Sequence, residues 1–197
     1  MQTKRDQSTC DVSLVYRTLS GDLMAYGTLV DRYRGAVLLI AREALGSHTE
    51  AEDVAQEVFL IVYQSLTRLR EPERFSSWLY AITRFRARKL QKQVKRQIVL
   101  APTQVALLQE YIHPNAVQQP QQILLNAEQE QELWAGIEAL KPDWRIALLL
   151  YAQEEWSVPQ IAQFLALPTT TVNWRLHQAR THLKQYLNLA ERKNNNE

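Results

Sequence analysis

The chain has 197 residues, 46% of them hydrophobic, and its 23 lysines and arginines nearly balance 21 aspartates and glutamates. This length and composition allow one domain or two small ones with real cores. With only five glycines, helix is favoured over sheet and turn. A single cysteine, Cys10, cannot form an internal disulfide, which is typical of a reducing cytoplasm.

No apolar run reaches the roughly 20 residues that a membrane span requires, and the first residues lack the apolar segment of a signal peptide. We therefore expect a cytoplasmic protein without membrane insertion. Apolar residues recur at helical spacing almost throughout, and sustained alternation is missing, so the sequence predicts an all-α fold.

The N-terminal segment predicts one or two amphipathic helices that break at Ser20-Gly21-Asp22. Their apolar positions are Leu14, Val15, Leu19, Leu23, Tyr26, Leu29, Val30 and Tyr33. A longer apolar helix is expected over residues 37–45, and Gly46 should end it.

An acidic helix start follows. Thr49 with Glu52 three residues later has the spacing of a capping box, and Asp53 suits the positive end of a helix dipole. Behind this start lies one predicted buried stripe, made of Val54, Val58, Val62, Leu66 and Leu69. Pro72 should end the run.

The next stretch, FSSWLYAITRFRARKLQKQVKR, carries seven cations and no acid. Ser76 or Ser77 can cap its helix. At about 100° per residue, one arc should face a core, with Trp78, Leu79, Ile82 and Phe85. Another side groups Arg84, Arg88, Lys92 and Lys95 into a positive ridge suited to a polyanion. Tyr80 lies beside the ridge and could stack on an unpaired base. A solvated basic helix without a ligand is the alternative.

Residues 97–127 hold one acid, Glu110, no lysine or arginine, three prolines and many glutamines, which is typical of a tether. Helical signals resume near residue 128. The predicted organisation is a helical domain over 1–97, a linker over 98–127, a second helical domain over 128–190 and a polar tail over 191–197.

The second domain contains the pattern of a helix-turn-helix. Ile161, Phe164 and Leu165 give its first helix an apolar side, residues 166–168 form the turn, and the threonines at 169–171 can cap the next helix. That helix should bury Val172, Leu176, Ala179 and Leu183. Its opposite face presents Thr170, Trp174, His177 and Thr181, flanked by Asn173 and Gln178. Arg175 lies near the edge of the buried face and Arg180 on the other flank. Such side chains can read bases and hold phosphates, although an ordinary helical hairpin also fits. Trp134, Trp144 and Trp156 are expected in the core or at its boundary.

Four segments together resemble bacterial sigma-70 family transcription initiation factors of the extracytoplasmic-function group, which keep sigma regions 2 and 4. These segments are LSGDLMAYGTLVDRY, AEDVAQEVFL, FSSWLYAITR and SVPQIAQFLALPTTTVNWRLHQAR. They occur in the family's order and cover both predicted domains.

The resemblance implies a role for each segment. Contacts to core RNA polymerase are expected from Asp53, Gln56, Glu57 and Phe59, with the face of Asp53, Gln56 and Glu57 on the clamp helices of β′. The β subunit is a further implied partner. Contacts to the −10 promoter element are expected from Trp78, Tyr80, Arg84, Arg88, Lys92 and Lys95. Contacts to the −35 element are expected from Thr170, Thr171, Asn173, Trp174, Arg175, His177, Gln178 and Arg180. Promoter DNA and an anti-sigma factor are further implied partners.

Several positions depart from the family pattern. Phe85 stands where asparagine is usual, and Lys89 lies near a position that is often aspartate or asparagine. In the helix-turn-helix the departures are Gln160, Pro168, Thr170, Trp174 and Gln178. These residues leave the scaffold intact and the recognised promoter bases open.

Two other classes of function compete with this hypothesis. A helix-turn-helix regulator that acts without polymerase would explain the C-terminal half, but it would leave the acidic helix without a role. An enzyme has little support, because His177 and His182 do not share a helical face and no metalloprotease, P-loop or cysteine-pair motif is present. We therefore expect no catalysis, no metal and no cofactor.

Overall fold

The computed structural model describes residues 10–100 and 130–194, with only the backbone helix described over 94–100 and 190–194. Within these ranges the chain forms helices and contains no strand, which confirms the all-α prediction. The helices are α1 (Asp11–Leu19), α2 (Leu23–Leu45), α3 (His48–Ser65), α4 (Phe75–Leu100), α5 (130–138), α6 (Pro142–Ala152), α7 (Val158–Leu165) and α8 (Thr169–Asn194). Two short 3₁₀ turns, Leu66–Arg68 and Pro72–Arg74, connect α3 to α4.

The predicted break between the first helices is confirmed. The Asp22 carboxylate accepts hydrogen bonds from the backbone N–H groups of Met24 and Ala25, at 3.0 and 3.1 Å, and so caps α2. The two helices expected after this break form one continuous α2. Gly46 ends it in the left-handed conformation (φ 73°), as predicted.

The start of α3 differs from the prediction. Ser47 is the N-cap, since its hydroxyl accepts from the backbone N–H of Glu50 at 3.4 Å. Thr49 lies inside the first turn of the helix, so the capping box assigned to Thr49 and Glu52 is wrong. The apolar stripe is confirmed: its first four members are buried, and Leu69 is half-buried beyond the end of the helix.

The predicted orientation of α4 is wrong at Phe85, whose side chain is 67% exposed. The buried stripe instead contains Phe75, Leu79, Thr83 and Ala87, spaced four residues apart. Phe85 follows Leu79 by six residues and therefore lies about 120° around the helix from it. The helix begins at Phe75, so Ser76 and Ser77 lie inside its first turn and do not cap it.

The C-terminal domain contains the predicted helix-turn-helix. After α7, Ala166 adopts the left-handed conformation (φ 54°, ψ 47°), and α8 begins at Thr169. Val172, Leu176 and Ala179 are buried, as predicted. Helix α4 continues to Leu100 and α8 to Asn194, beyond the expected linker start and tail start, while the rest of the linker lies outside the described residues. Among the described helices, none is both long and apolar enough to cross a membrane.

The two predicted domains pack directly against each other, which the tether alone did not predict. Tyr33 of α2 lies against Trp156 and Phe164 of the C-terminal domain, with ring centroids 5.7 and 6.1 Å apart. These residues belong to one hydrophobic cluster that extends from α1 to α8. Burial raises the pKa of Tyr33, and its neutral hydroxyl donates to the Asp11 carboxylate, which attaches α1 to this core.

Candidate nucleic-acid and polymerase interfaces

The outer face of α3 presents most of the residues expected at the polymerase. Asp53 and Gln56 are exposed, whereas Phe59 is half-buried against the core. The Tyr26 hydroxyl donates to the Phe59 carbonyl, and burial raises the pKa of Tyr26 to about 12. Phe59 therefore contributes at least part of its surface to holding α2 and α3 together.

Glu57 has a partner within the chain. Its carboxylate pairs with the Arg86 guanidinium of α4, and its side chain remains 48% exposed. Arg86 is 22% exposed, so this ion pair links the acidic helix to the basic one. Of the predicted acidic contacts, Asp53 forms no ion pair with the described residues, whereas Glu57 already does.

Helix α4 presents a row of exposed cations, which we call the α4 cation row: Arg84, Arg88 and Lys92. They are four residues apart, so they lie along one side of the helix. None of the three forms an ion pair with the described residues, and the sequence of α4 contains no acid that could neutralise them. Lys95 follows Lys92 by three residues, but its side chain lies outside the described part of the chain.

The aromatic residues predicted beside this row are half-buried. Tyr80 lies against Phe164 of α7, with ring centroids 5.4 Å apart. Trp78 packs against Phe75, with centroids 6.4 Å apart. The two parts of the predicted −10 surface thus differ in solvent exposure. Helix α7 contacts the aromatic part at Tyr80, whereas the α4 cation row remains exposed.

Sequence reasoning missed a cleft beside the start of α4. The cleft has a volume of about 360 Å³, and its lining includes Arg68, Arg70, Arg74, Trp78 and Ala166. Three arginines within seven residues were a visible signal in the segment RLREPER. Arg68 and Arg70 fall at the end of the predicted helical run and Arg74 falls beyond Pro72, so no single predicted helical face contains all three.

The outward side of α8 carries the predicted −35 contacts. Thr170, Asn173 and His177 are exposed, while Thr171 and Gln178 are half-buried. Trp174 is 52% exposed, and its ring meets that of Trp144 edge-to-face at 5.8 Å. One side of Trp174 therefore packs within the domain while the other faces outward.

Arg175 and Arg180 of this helix contact α6. Arg175 donates to the Asp143 carboxylate at 2.9 Å and is only 17% exposed. The Arg180 guanidinium lies over the Tyr151 ring, 5.0 Å from its centroid. Arg175 is thus mostly buried and paired, and Arg180 is exposed but lies against a ring of α6, in contrast to the α4 cation row.

Comparison with known proteins matches both halves of the chain. The family model for sigma-70 region 2 matches residues 29–97, and the one for sigma-70 region 4 matches residues 130–183. An ECF RNA polymerase sigma-E factor of Haemophilus influenzae is 31% identical over 178 residues, covering 86% of this chain and 91% of that protein. The ECF sigma factor SigW of Bacillus subtilis is 29% identical over 171 residues, covering 85% and 91%.

Solved structures share the fold. CnrH, in complex with the cytosolic domain of CnrY, aligns with a TM-score of 0.59 at 23% identity, over 91% of this chain and 97% of that one. The sigma factor RpoE of Bartonella quintana, in complex with the anti-sigma factor NepR, aligns with a TM-score of 0.58 at 18% identity, over 83% and 96%. Both alignments extend across the two halves of the chain.

Proposed function

Since the chain belongs to the extracytoplasmic-function (ECF) group of sigma-70 family sigma factors, we propose a division of work among three of its helices. As a sigma factor, the protein acts with RNA polymerase in transcription initiation. In our proposal α3 contacts the core enzyme, α4 holds the −10 element, and α8 reads the −35 element. The proposal assigns core binding and the −10 element to the predicted domain over 1–97, and the −35 element to the predicted domain over 128–190.

The α4 cation row is the observation that carries the proposal for the −10 element. Three exposed cations on one side of a helix, without a carboxylate on that helix, are suited to contact a polyanionic backbone. Tyr80 and Trp78 lie at the N-terminal side of the row, where their rings can stack on bases once strands part. The cations would therefore hold the phosphates beside the point of strand separation.

Contact with core polymerase is proposed for the exposed side of α3. Asp53 and Gln56 are exposed there and form no ion pair with the described residues, so they can meet the β′ clamp helices at no cost to the fold. Glu57 would contribute less, because its carboxylate already pairs with Arg86. The β subunit is the second polymerase surface in this proposal.

Reading of the −35 element is proposed for the exposed side of α8. Asn173, Thr170 and His177 offer donors and acceptors suited to base edges in a major groove. Buried Val172 and Leu176 fix the helix against the domain core and so determine which side chains face outward. We infer that this recognition depends more on hydrogen bonding than on charge.

We further infer that the protein is a non-enzymatic regulator that works in the cytoplasm, where its polymerase and promoter partners are found. An anti-sigma factor is a proposed partner as well. This inference is supported by RpoE, which shares the fold of this chain and was solved in complex with the anti-sigma factor NepR. The alternative, a helix-turn-helix regulator acting alone, predicts no association with polymerase.

A binding assay with sigma-free core polymerase tests the α3 assignment. We expect the double variant Asp53→Lys, Gln56→Lys to bind core at least about tenfold more weakly, a change of about 1.4 kcal/mol in binding free energy. Asp31→Lys is the matched control, because Asp31 is an exposed acid of the same domain on α2. An unchanged affinity of the double variant would remove α3 from the interface. Failure of the wild-type chain to bind core would favour the stand-alone regulator.

A further inference from the structure

Phe85 is the aromatic side chain of α4 that is most open to solvent. It is 67% exposed, whereas Trp78 and Tyr80 of the same helix are half-buried. Phe85 is also not part of the hydrophobic cluster that contains Leu79 and Ala87. Its ring therefore adds little to the fold and is available to a partner.

The surroundings of Phe85 are cationic. Arg88 and Lys89 follow it by three and four residues, so they are its neighbours on the helix surface. Arg84 directly precedes it, and Lys92 follows by seven residues at an angle of about 20° around the helix. All four cations are exposed, and none forms an ion pair with the described residues. The ring thus lies within a patch of positive charge that no acid of α4 neutralises.

This combination distinguishes between two classes of partner. A single exposed apolar residue is common on protein surfaces and does not by itself indicate a partner. The cores of protein–protein interfaces are depleted of charged residues, so four cations around Phe85 disfavour an apolar protein surface. Sites for single-stranded nucleic acids combine cations that hold phosphates with aromatic rings that stack on bases. Charge complementarity therefore favours an unpaired nucleic-acid strand.

A second aromatic residue lies on the same side of α4. Trp78 precedes Phe85 by seven residues, which places it about 20° around the helix and about 10.5 Å along its axis. Between them along the helix lies exposed Ala81, whose side chain is a single methyl group. Tyr80 is on another side, about 140° from Phe85, where it contacts Phe164. Trp78 and Phe85 can therefore contact the same strand.

We propose that Phe85 stacks on an unpaired base of a DNA strand whose phosphates are held by the α4 cation row. The proposal rests on the DNA-binding role given to α4 above. A phenyl ring has neither a donor nor an acceptor, so this contact holds a base without reading which base it is. The family pattern has asparagine at this position, so the stacking belongs to this chain and not to the family pattern.

Equilibrium binding by the full chain tests the proposal. The probes are a fluorescent thymidine single strand of about 12 nucleotides and the same strand with abasic central nucleotides. Phe85→Ala should bind the thymidine strand at least about fivefold more weakly than wild type. The two chains should bind the abasic strand equally, because it keeps its phosphates and lacks the bases. Phe85→Trp should retain affinity, whereas Phe85→Leu, apolar but not aromatic, should lose as much as Phe85→Ala.

Tyr16→Ala is the matched control, because Tyr16 is an aromatic residue of α1 that is 57% exposed and lies outside α4. It should leave binding unchanged. Equal affinities of wild type and Phe85→Ala for the thymidine strand would overturn the stacking. The proposed function would still stand if replacing Arg84, Arg88 and Lys92 together by alanine weakened binding of that strand.

Two other outcomes would also overturn the stacking. If the wild-type chain binds no single strand, alone or with core polymerase, the DNA-binding role of α4 fails as well. If Phe85→Ala weakens association with core polymerase and leaves single-strand binding intact, the ring contacts a protein.

Photo-cross-linking locates the stacked base independently of affinity. A thymidine strand in which 5-iodouracil replaces central thymines should cross-link to Phe85 when irradiated, because this base reacts preferentially with aromatic rings stacked on it. The Phe85→Leu chain should lose that cross-link. Cross-links at other residues with none at Phe85 would contradict the proposal. A cytidine strand should show the same loss of affinity on Phe85→Ala within about threefold, since stacking tolerates every base. A loss confined to thymidine would show that Phe85 reads the base.

Discussion

Two helices of 26 residues, α4 in the N-terminal domain and α8 in the C-terminal domain, carry the candidate DNA contacts by different chemistry. The α4 cation row is exposed and forms no ion pair with the described residues, and the aromatic rings are partly covered. In α8, Arg175 and Arg180 contact Asp143 and Tyr151, while neutral polar side chains are exposed. The contrast indicates that α4 supplies affinity for the phosphate backbone and that α8 supplies discrimination between bases.

The largest expected effect tests the orientation of α4, on which this contrast depends. Leu79→Ala should lower the free energy of unfolding by about 2–5 kcal/mol, because Leu79 is fully buried. Phe85→Ala should change it by less than about 0.5 kcal/mol, because Phe85 is mostly exposed. Urea unfolding of both variants provides the measurement. Similar losses in the two variants would mean that the exposed side of α4 is misplaced.

The salt dependence of duplex binding compares the cations of the two helices. Replacing Arg84, Arg88 and Lys92 together by alanine should reduce the slope of log K against log salt by about 2.7, since each phosphate contact contributes about 0.9. Arg175→Ala should change the slope much less, because Arg175 is paired with Asp143. Lys184→Ala, at an exposed position further along α8, is the control for charge alone. Equal slopes for the triple variant and wild type would contradict the backbone role of α4.

Discrimination between bases should depend on α8 and not on the cations of α4. Asn173→Ala should reduce the preference for the cognate −35 sequence over a scrambled one by about 1–3 kcal/mol while leaving the salt slope unchanged. The matched control is Gln185→Ala, an exposed amide on the same helix three turns later. Competition binding on the two duplexes measures both quantities. If Asn173→Ala alters the salt slope and not the preference, α8 contacts phosphates instead of bases.

The smallest expected effect is a pH dependence at the start of α2, far from both helices. Hydrogen bonds from Arg17 and from the Ala25 N–H hold the pKa of Asp22 below its usual 3.8. Its contribution to stability is therefore complete above pH 3.8 and is lost as the pH falls through the lowered value. Asp22→Asn keeps an N-cap acceptor but removes the charge, so its unfolding curve should show a shallower loss on acidification. If the free energy of unfolding falls equally with acidification in both chains, the Asp22 charge does not contribute to the pH dependence of stability.

Local patterns predicted most of the helices because their causes lie within a few residues. The α1–α2 break, the Gly46 stop and the buried stripes of α3 and α8 all follow from short-range spacing and backbone preference. The Ser47 cap was missed because two plausible starts lie two residues apart, and the choice depends on the extended backbone at Ser47. At Phe85 the helical spacing of about 100° per residue could not distinguish the buried side of α4 from the neighbouring exposed side, because apolar residues occupy both.

The sequence predicted which residue types form the candidate site, but not which of their side chains are exposed and unpaired. Exposure of Arg84 and Arg88 follows from charge alone. The pairing of Glu57 with Arg86, 29 positions later, depends on how α3 and α4 pack. The cover of Phe164 over Tyr80 depends on the packing of two domains, and no local spacing in the sequence encodes it. Long-range packing therefore determines which of the predicted site residues are free to contact a partner.

The most direct test of the division between α4 and α8 is permanganate probing of unpaired thymines on a promoter bound by core polymerase and this chain. The promoter is selected from genomic fragments that the complex retains. Tyr80→Ala should abolish or strongly reduce permanganate reactivity around −10 while protection of the −35 element from DNase I on the same complex persists, whereas Asn173→Ala should weaken the −35 protection. Reactivity of the Tyr80→Ala complex equal to that of wild type, at equal occupancy, would contradict the role of α4 in strand separation.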